Sequence, residues 1–146
     1  MRVLLQRVSS ASVSVSGGEI GRIGRGCLAL LGVGQSDTKL QADKMIKKIK
    51  KLRIFPDAQG KTNLSLEDID GELMVISQFT LYADCRKGNR PGFTEAGSPA
   101  QAEALYNYFV DKCKPLFKKT ADGEFGADMQ VSLTNDGPFT VMLEID

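Results

Sequence analysis

Met129-Gln130-Val131-Ser132-Leu133-Thr134-Asn135-Asp136-Gly137-Pro138-Phe139-Thr140-Val141-Met142-Leu143-Glu144-Ile145 reads as two strand-like runs, Met129 to Thr134 and Phe139 to Ile145, around a Gly-Pro pair. Proline cannot donate to a strand ladder, so the pair needs an edge, a bulge or a turn. Glycine before proline lifts the Cβ clash that restricts most residues there. A cis bond is accessible, because the trans preference of an X-Pro peptide is only about 0.5–1 kcal/mol. Two readings stand side by side. One is a plain hairpin turn; the other is a rigid loop that offers the Gly137 and Pro138 carbonyls to a ligand.

Working outward, the other end of the chain is also strand-rich. Arg2 to Val8 alternates, Ala11 to Ser16 puts Ala11, Val13 and Val15 on one face, and Gly17-Gly18 signals a turn before Glu19 to Ile23. Cys27 to Val33 is nearly all apolar, which suits a central strand buried on both faces. The first 34 residues therefore predict four strands. Ser36-Asp37 is positioned to cap a helix whose inner face is Ala42, Met45, Ile46 and Ile49. Its outer face carries Lys44, Lys47, Lys48, Lys50 and Lys51, with Arg53 just beyond. Such a face is either a solvated surface or a track for phosphates.

Leu52 to Phe55 predicts a short strand, and residues 61–71 a connection. Glu72 to Tyr82 reads as one long strand, with Ser77, Phe79 and Leu81 on one face and Gln78, Thr80 and Tyr82 on the other. Arg86 to Gly97 is a polar loop. Ser98-Pro99-Ala100-Gln101 has the cap, first-turn proline and box residue of a helix start. Ala102, Leu105, Tyr106, Phe109, Cys113 and Leu116 form its apolar stripe, and Pro115 should end it. Asp122 to Gly126 is a turn. The expected fold is a single α/β domain over residues 1–146, with strand-rich mixed β-sheet layers and two long helices packed on the sheet.

Composition narrows the chemistry. A chain of 146 residues with 42% hydrophobic and 25% charged residues suits one globular domain. A net charge of +1 gives no overall basic field, so any nucleic-acid contact must come from a local patch. No apolar run reaches signal-peptide or membrane-span length, and the expected location is the cytoplasm, with no membrane partner. Three scattered cysteines, Cys27, Cys85 and Cys113, make no disulfide framework. Histidine is absent, which excludes Ser-His-Asp and Cys-His sites, a histidine general base and the usual zinc sites. Neither a metal nor a cofactor is expected. Hydroxyls, backbone dipoles or a group on the substrate remain. Ser77, Gln78 and Thr80 are the densest polar set on an apolar strand. They either satisfy neighbouring backbone or mark a strand end whose N–H groups stabilise an oxyanion.

Ser77-Gln78-Phe79-Thr80-Leu81, taken with Asn135-Asp136-Gly137-Pro138-Phe139-Thr140, resembles the D-aminoacyl-tRNA deacylases, once called D-tyrosyl-tRNA deacylases. The resemblance extends to the Met1-Arg2-Val3-Leu4-Leu5-Gln6-Arg7-Val8 opening and to Phe125-Gly126-Ala127-Asp128-Met129. Phe139 departs from the valine more often expected there. The resemblance implies a homodimeric hydrolase that cleaves the ester between a D-amino acid and the terminal adenosine of tRNA. It implies that Gly137 and Pro138 are joined by a cis bond and enter the partner's active site. There their carbonyls would meet the substrate α-amino group and exclude an L side chain, while glycine would pass. Arg7 would hold the loop, within the motif that Asn135 and Thr140 frame. Ser77, Gln78, Phe79 and Thr80 would line the ester pocket, with Phe125 and Met129 near the adenine. The ribose 2′-OH would assist hydrolysis; Thr80 as nucleophile is the competing mechanism. A tRNA-binding module without catalysis and a dimeric scaffold are the rival classes.

Overall fold

A computed structural model describes residues 1–146. Its centre is β1 (Arg2–Val15), a single strand where two were expected. β1 turns through Gly17 into β2 (Gly18–Ile23), which leads to β3 (Gly26–Gly32). β3 pairs antiparallel with the first half of β1, and β2 with the second half. The two alternating runs fuse because a register shift between Val8 and Ser10 places one extra residue on β1. Val3 and Leu5 then face one core, while Val8, Ala11 and Val13 face the other. A bulge of this kind bends a strand without ending it.

α1 (Lys39–Lys51) is capped by Thr38, not by Ser36-Asp37. Thr38 Oγ1 accepts from the Leu40 N–H at 3.2 Å, and Gln41 Oε1 accepts from the Thr38 N–H at 2.9 Å. Asp37 has another task. It is buried, and its carboxylate accepts from the Gly34 N–H at 2.6 Å and from the Met1 amine at 2.7 Å. The predicted inner face of α1 is buried as expected: Ala42, Met45, Ile46 and Ile49.

β4 (Arg53–Pro56) and β5 (Thr62–Ser65) form a small antiparallel hairpin, so the expected 61–71 connection begins with a strand. β6 (Glu72–Ser77) runs parallel to β3 and is shorter than the predicted 72–82 strand. Its last ladder bond is Gln78 N–H to the Leu31 carbonyl at 2.7 Å. Beyond it the chain tightens into a 3-10 turn, Phe79–Tyr82. The predicted two-faced alternation over residues 77–82 is therefore wrong past Ser77. With β3 ended at Gly32, the segment has no neighbour to pair with.

α2 (Pro99–Cys113) starts at Ser98, whose Oγ accepts from the Gln101 N–H at 3.3 Å. The expected capping box is only half made. Gln101 Nε2 instead donates to the carbonyls of Gln35 and Asp37 at 2.9 and 3.0 Å, tying the start of α2 to the loop before α1. α2 stops at Cys113, ahead of Pro115. β7 (Thr120–Asp122) adds parallel to β6, and β8 (Met129–Glu144) returns along the whole of β1.

The result is a mixed, strongly curled six-stranded sheet with a core on each face. On one face both helices cover Val3, Leu5, Cys27, Ala29, Leu31, Leu73 and Val75. On the other the sheet closes on itself around Val8, Ala11, Val13, Ile23, Leu28, Met74 and Ile76. This is the α/β arrangement expected, with two helices on a mixed sheet. No helix is long and apolar enough to cross a membrane.

Candidate active site

β8 is one strand, not two, so Gly137-Pro138 is neither a hairpin turn nor a break. Both halves pair with β1: Gln6 lies opposite Thr140, and Val8 opposite Asn135. Two steps on β1 thus match five on β8, which leaves three extra residues bulging from the sheet. An odd excess reverses which face a strand presents. Met129, Val131 and Leu133 accordingly pack into the closed core, and Phe139, Val141 and Leu143 into the helix-covered one.

The bulge is held at both ends. Asn135 accepts from the Phe139 N–H at 2.7 Å through Oδ1 and donates to the Phe139 carbonyl at 3.1 Å through Nδ2. Gln6 Nε2 donates to Thr140 Oγ1 at 3.2 Å. Arg7 donates from Nε to the Asp136 carbonyl at 2.8 Å and from Nη1 to the Ile54 carbonyl at 2.7 Å. Its guanidinium also lies 4.9 Å from the centre of the Phe139 ring. The Gly137–Pro138 peptide is cis, and Gly137 has φ +149°, a region L side chains rarely enter. Both residues are exposed.

A cleft of about 290 Å³ lies at the ends of β6 and β7. One wall is Ile76, Ser77, Gln78 and Phe79; the other comes from the 125–131 segment and includes Phe125 and Met129. The Tyr106 hydroxyl positions that second wall by donating to the carbonyls of Val75 and Gly123, at 2.9 and 3.3 Å. Its ring lies 5.9 Å from that of Phe125. Phe79 stands 57% exposed at the rim, edge-on to Phe93 at 4.9 Å. Sequence reasoning missed Phe93; the one signal was an aromatic residue inside the otherwise polar 86–97 loop.

Thr80 Oγ1 accepts from Gln78 Nε2 at 2.5 Å. An amide N–H cannot take a proton, so this partner does nothing to activate the hydroxyl. The 3-10 turn that carries Thr80 has no side-chain cap from Gln78. Its leading N–H groups have no partner within the turn and suit a developing negative charge. No residue lining the cleft ionises. No cysteine lines the cleft, and burial pushes the Cys27 and Cys113 thiols up to about 12.

The structure thus brings Ser77, Gln78, Phe79, Phe125 and Met129 to one cleft, with Thr80 bonded beside it. It gathers Arg7, Asn135 and Thr140 around Gly137-Pro138. It does not join the two groups within one chain. No loop residue lines the cleft. Six steps of strand, about 20 Å, separate Met129 from Asn135.

Comparison with known proteins gives a consistent picture. A family profile described as D-Tyr-tRNA(Tyr) deacylase matches residues 4–144. The D-aminoacyl-tRNA deacylase of Thermosipho melanesiensis is 52% identical over 145 residues, covering 99% of this chain and 97% of that one. The protein of the same name from Lacticaseibacillus casei is 50% identical over 146 residues, covering 100% and 99%. A solved structure called c-Myc DNA Unwinding Element Binding Protein is 42% identical with a TM-score of 0.94, covering 100% of this chain and 99% of that one. A probable eukaryotic D-amino acid tRNA deacylase shares the fold, with a TM-score of 0.82 at 18% identity over 99% and 98%.

Proposed function

The chain belongs to the D-aminoacyl-tRNA deacylase family, and from that premise we propose how its residues divide the work. It is an esterase of D-aminoacyl-tRNA. The aminoacyl ester of the terminal adenosine enters the cleft between the 77–80 segment and the Phe125–Met129 wall. Ser77, Gln78, Phe79 and Thr80 surround the ester, and Phe125 and Met129 take the adenine. Gly137 and Pro138 enter from the partner of a homodimer. Their carbonyls accept from the substrate α-amino group, and their bulk occupies the space an L side chain needs. Glycine esters pass this filter. The reaction takes place in the cytoplasm.

The observation that carries the mechanism is the absence of any ionisable side chain from the cleft lining. Water adds to the acyl carbon, the ester C–O bond breaks, and the ribose oxygen leaves with a proton. The neighbouring 2′-OH is the nearest group able to relay that proton. The protein supplies position and the N–H dipoles of the 3-10 turn. Two measurements separate this from a Thr80 nucleophile. Thr80→Ala should keep kcat within about tenfold of the parent, whereas a nucleophile would cost far more. A substrate ending in 2′-deoxyadenosine should be cleaved at least about a hundredfold more slowly. Undiminished cleavage of that substrate would rule the 2′-OH out.

A further inference from the structure

A groove of about 680 Å³, roomier than the cleft, lies elsewhere on the chain. It is lined by Lys44, Lys47, Lys48, Lys51 and Arg53 together with two aliphatic side chains, and no carboxylate lines it. The chain as a whole carries only +1, so five cations in one groove are a segregation of charge. Ion pairing does not quench them. On α1 only Lys50 is paired, with Glu67 at 3.1 Å, and Lys50 does not line the groove. Lys44, Lys47, Lys48 and Lys51 follow the 0, 3, 4, 7 spacing of a single helix face, a row about 10 Å long.

Arg7 couples this groove to the Gly137-Pro138 loop. Its guanidinium bonds the carbonyl of Ile54, next to the groove residue Arg53, and the carbonyl of Asp136, next to Gly137. One side chain therefore ties the strand that ends the groove to the loop. We infer that the groove is the track for the backbone phosphates of the aminoacyl-tRNA, which reach it beside the loop that serves the partner's cleft. This deepens the proposed function and rests on it for the choice of tRNA. Contacts of this kind set affinity and register without reading sequence.

The test uses the full-length protein and its Lys47→Gln/Lys48→Gln and Lys44→Gln/Lys47→Gln/Lys48→Gln/Lys51→Gln variants. These side chains are exposed except at the groove wall, and glutamine nearly matches lysine in helix propensity. Binding of uncharged tRNA and KM for D-tyrosyl-tRNA are measured across salt concentrations, beside hydrolysis of D-tyrosyl-adenosine, which has no stem. In the double variant KM for the tRNA ester should rise roughly five- to tenfold. The slope of log affinity against log salt should flatten by about 0.7–0.9 per lost phosphate contact, with kcat and D-tyrosyl-adenosine turnover held. Unchanged tRNA affinity and slope in the quadruple variant would overturn the assignment. If the parent cleaves neither ester, the functional reading fails, and tRNA binding by the same variants still decides the groove.

Discussion

Arg7 reaches two backbone carbonyls from segments far apart in sequence, those of Asp136 and Ile54. Its side chain is 12% exposed, and its charge-assisted bond to the Ile54 carbonyl is partly sheltered from solvent, while the one to Asp136 lies at the surface. Lysine has the charge but not the fork that serves two acceptors at once. Arg7→Ala should cost about 1.5–3 kcal/mol of stability, the usual size of a hydrogen bond to a charged group. It should also lower kcat/KM for D-tyrosyl-tRNA by about a hundredfold, as loss of loop position does. Arg7→Lys should recover stability better than activity. Denaturant unfolding beside steady-state kinetics reads both, and a variant with parental turnover would show that the loop needs no such anchor. Phe93 makes the opposite point about the residue scale. Its contact with Phe79 depends on where a long loop folds back, and nothing local to either residue encodes that.

Among the elements, β3 and β6 position the cleft, and their parallel pairing is tightest at Gly26. A Cβ built there would sit 1.8 Å from the Glu72 carbonyl oxygen, an overlap no rotamer can relieve. Gly26→Ala should therefore destabilise the fold by about 3 kcal/mol or more and displace the strand that ends at Ser77. A thermal midpoint within a degree of the parent would contradict that reading of the pairing. The helices were legible in advance, because their inner faces follow 3.6-residue periodicity and their packing needs no knowledge of partners. Strand ends were less so. β6 stops at Ser77 because its neighbour β3 stops, not because the sequence loses its strand character. The fusion of two alternating runs into β1, and of two more into β8, depends on extra residues in each partner's register. A single strand's pattern cannot carry that information. The same holds for the loop. Gly137-Pro138 announced an irregularity, but only pairing with β1 shows an odd-numbered bulge that moves β8 from one core to the other.

For the molecule as a whole, the cleft and the Gly137-Pro138 loop are separate features of one chain. The cleft lacks the loop, and at the exposed tip of the loop the Gly137 and Pro138 carbonyls, unlike those of Asp136 and Phe139, accept from no side chain of the chain itself. The homodimer proposed above would give each a purpose: a pocket for the ester, and a backbone wedge that tests its handedness. Residue motifs pointed to the members of the candidate site, since Ser77 to Thr80 and Asn135 to Thr140 are contiguous stretches. Their separation within the chain was not readable, because it follows from the path of β8 along β1. The most direct test is deacylation of D-tyrosyl-tRNA and L-tyrosyl-tRNA by the purified protein in parallel. The account predicts release of the D residue with the L ester left intact. Equal cleavage of both would contradict the backbone wedge, and cleavage of neither would contradict the esterase itself.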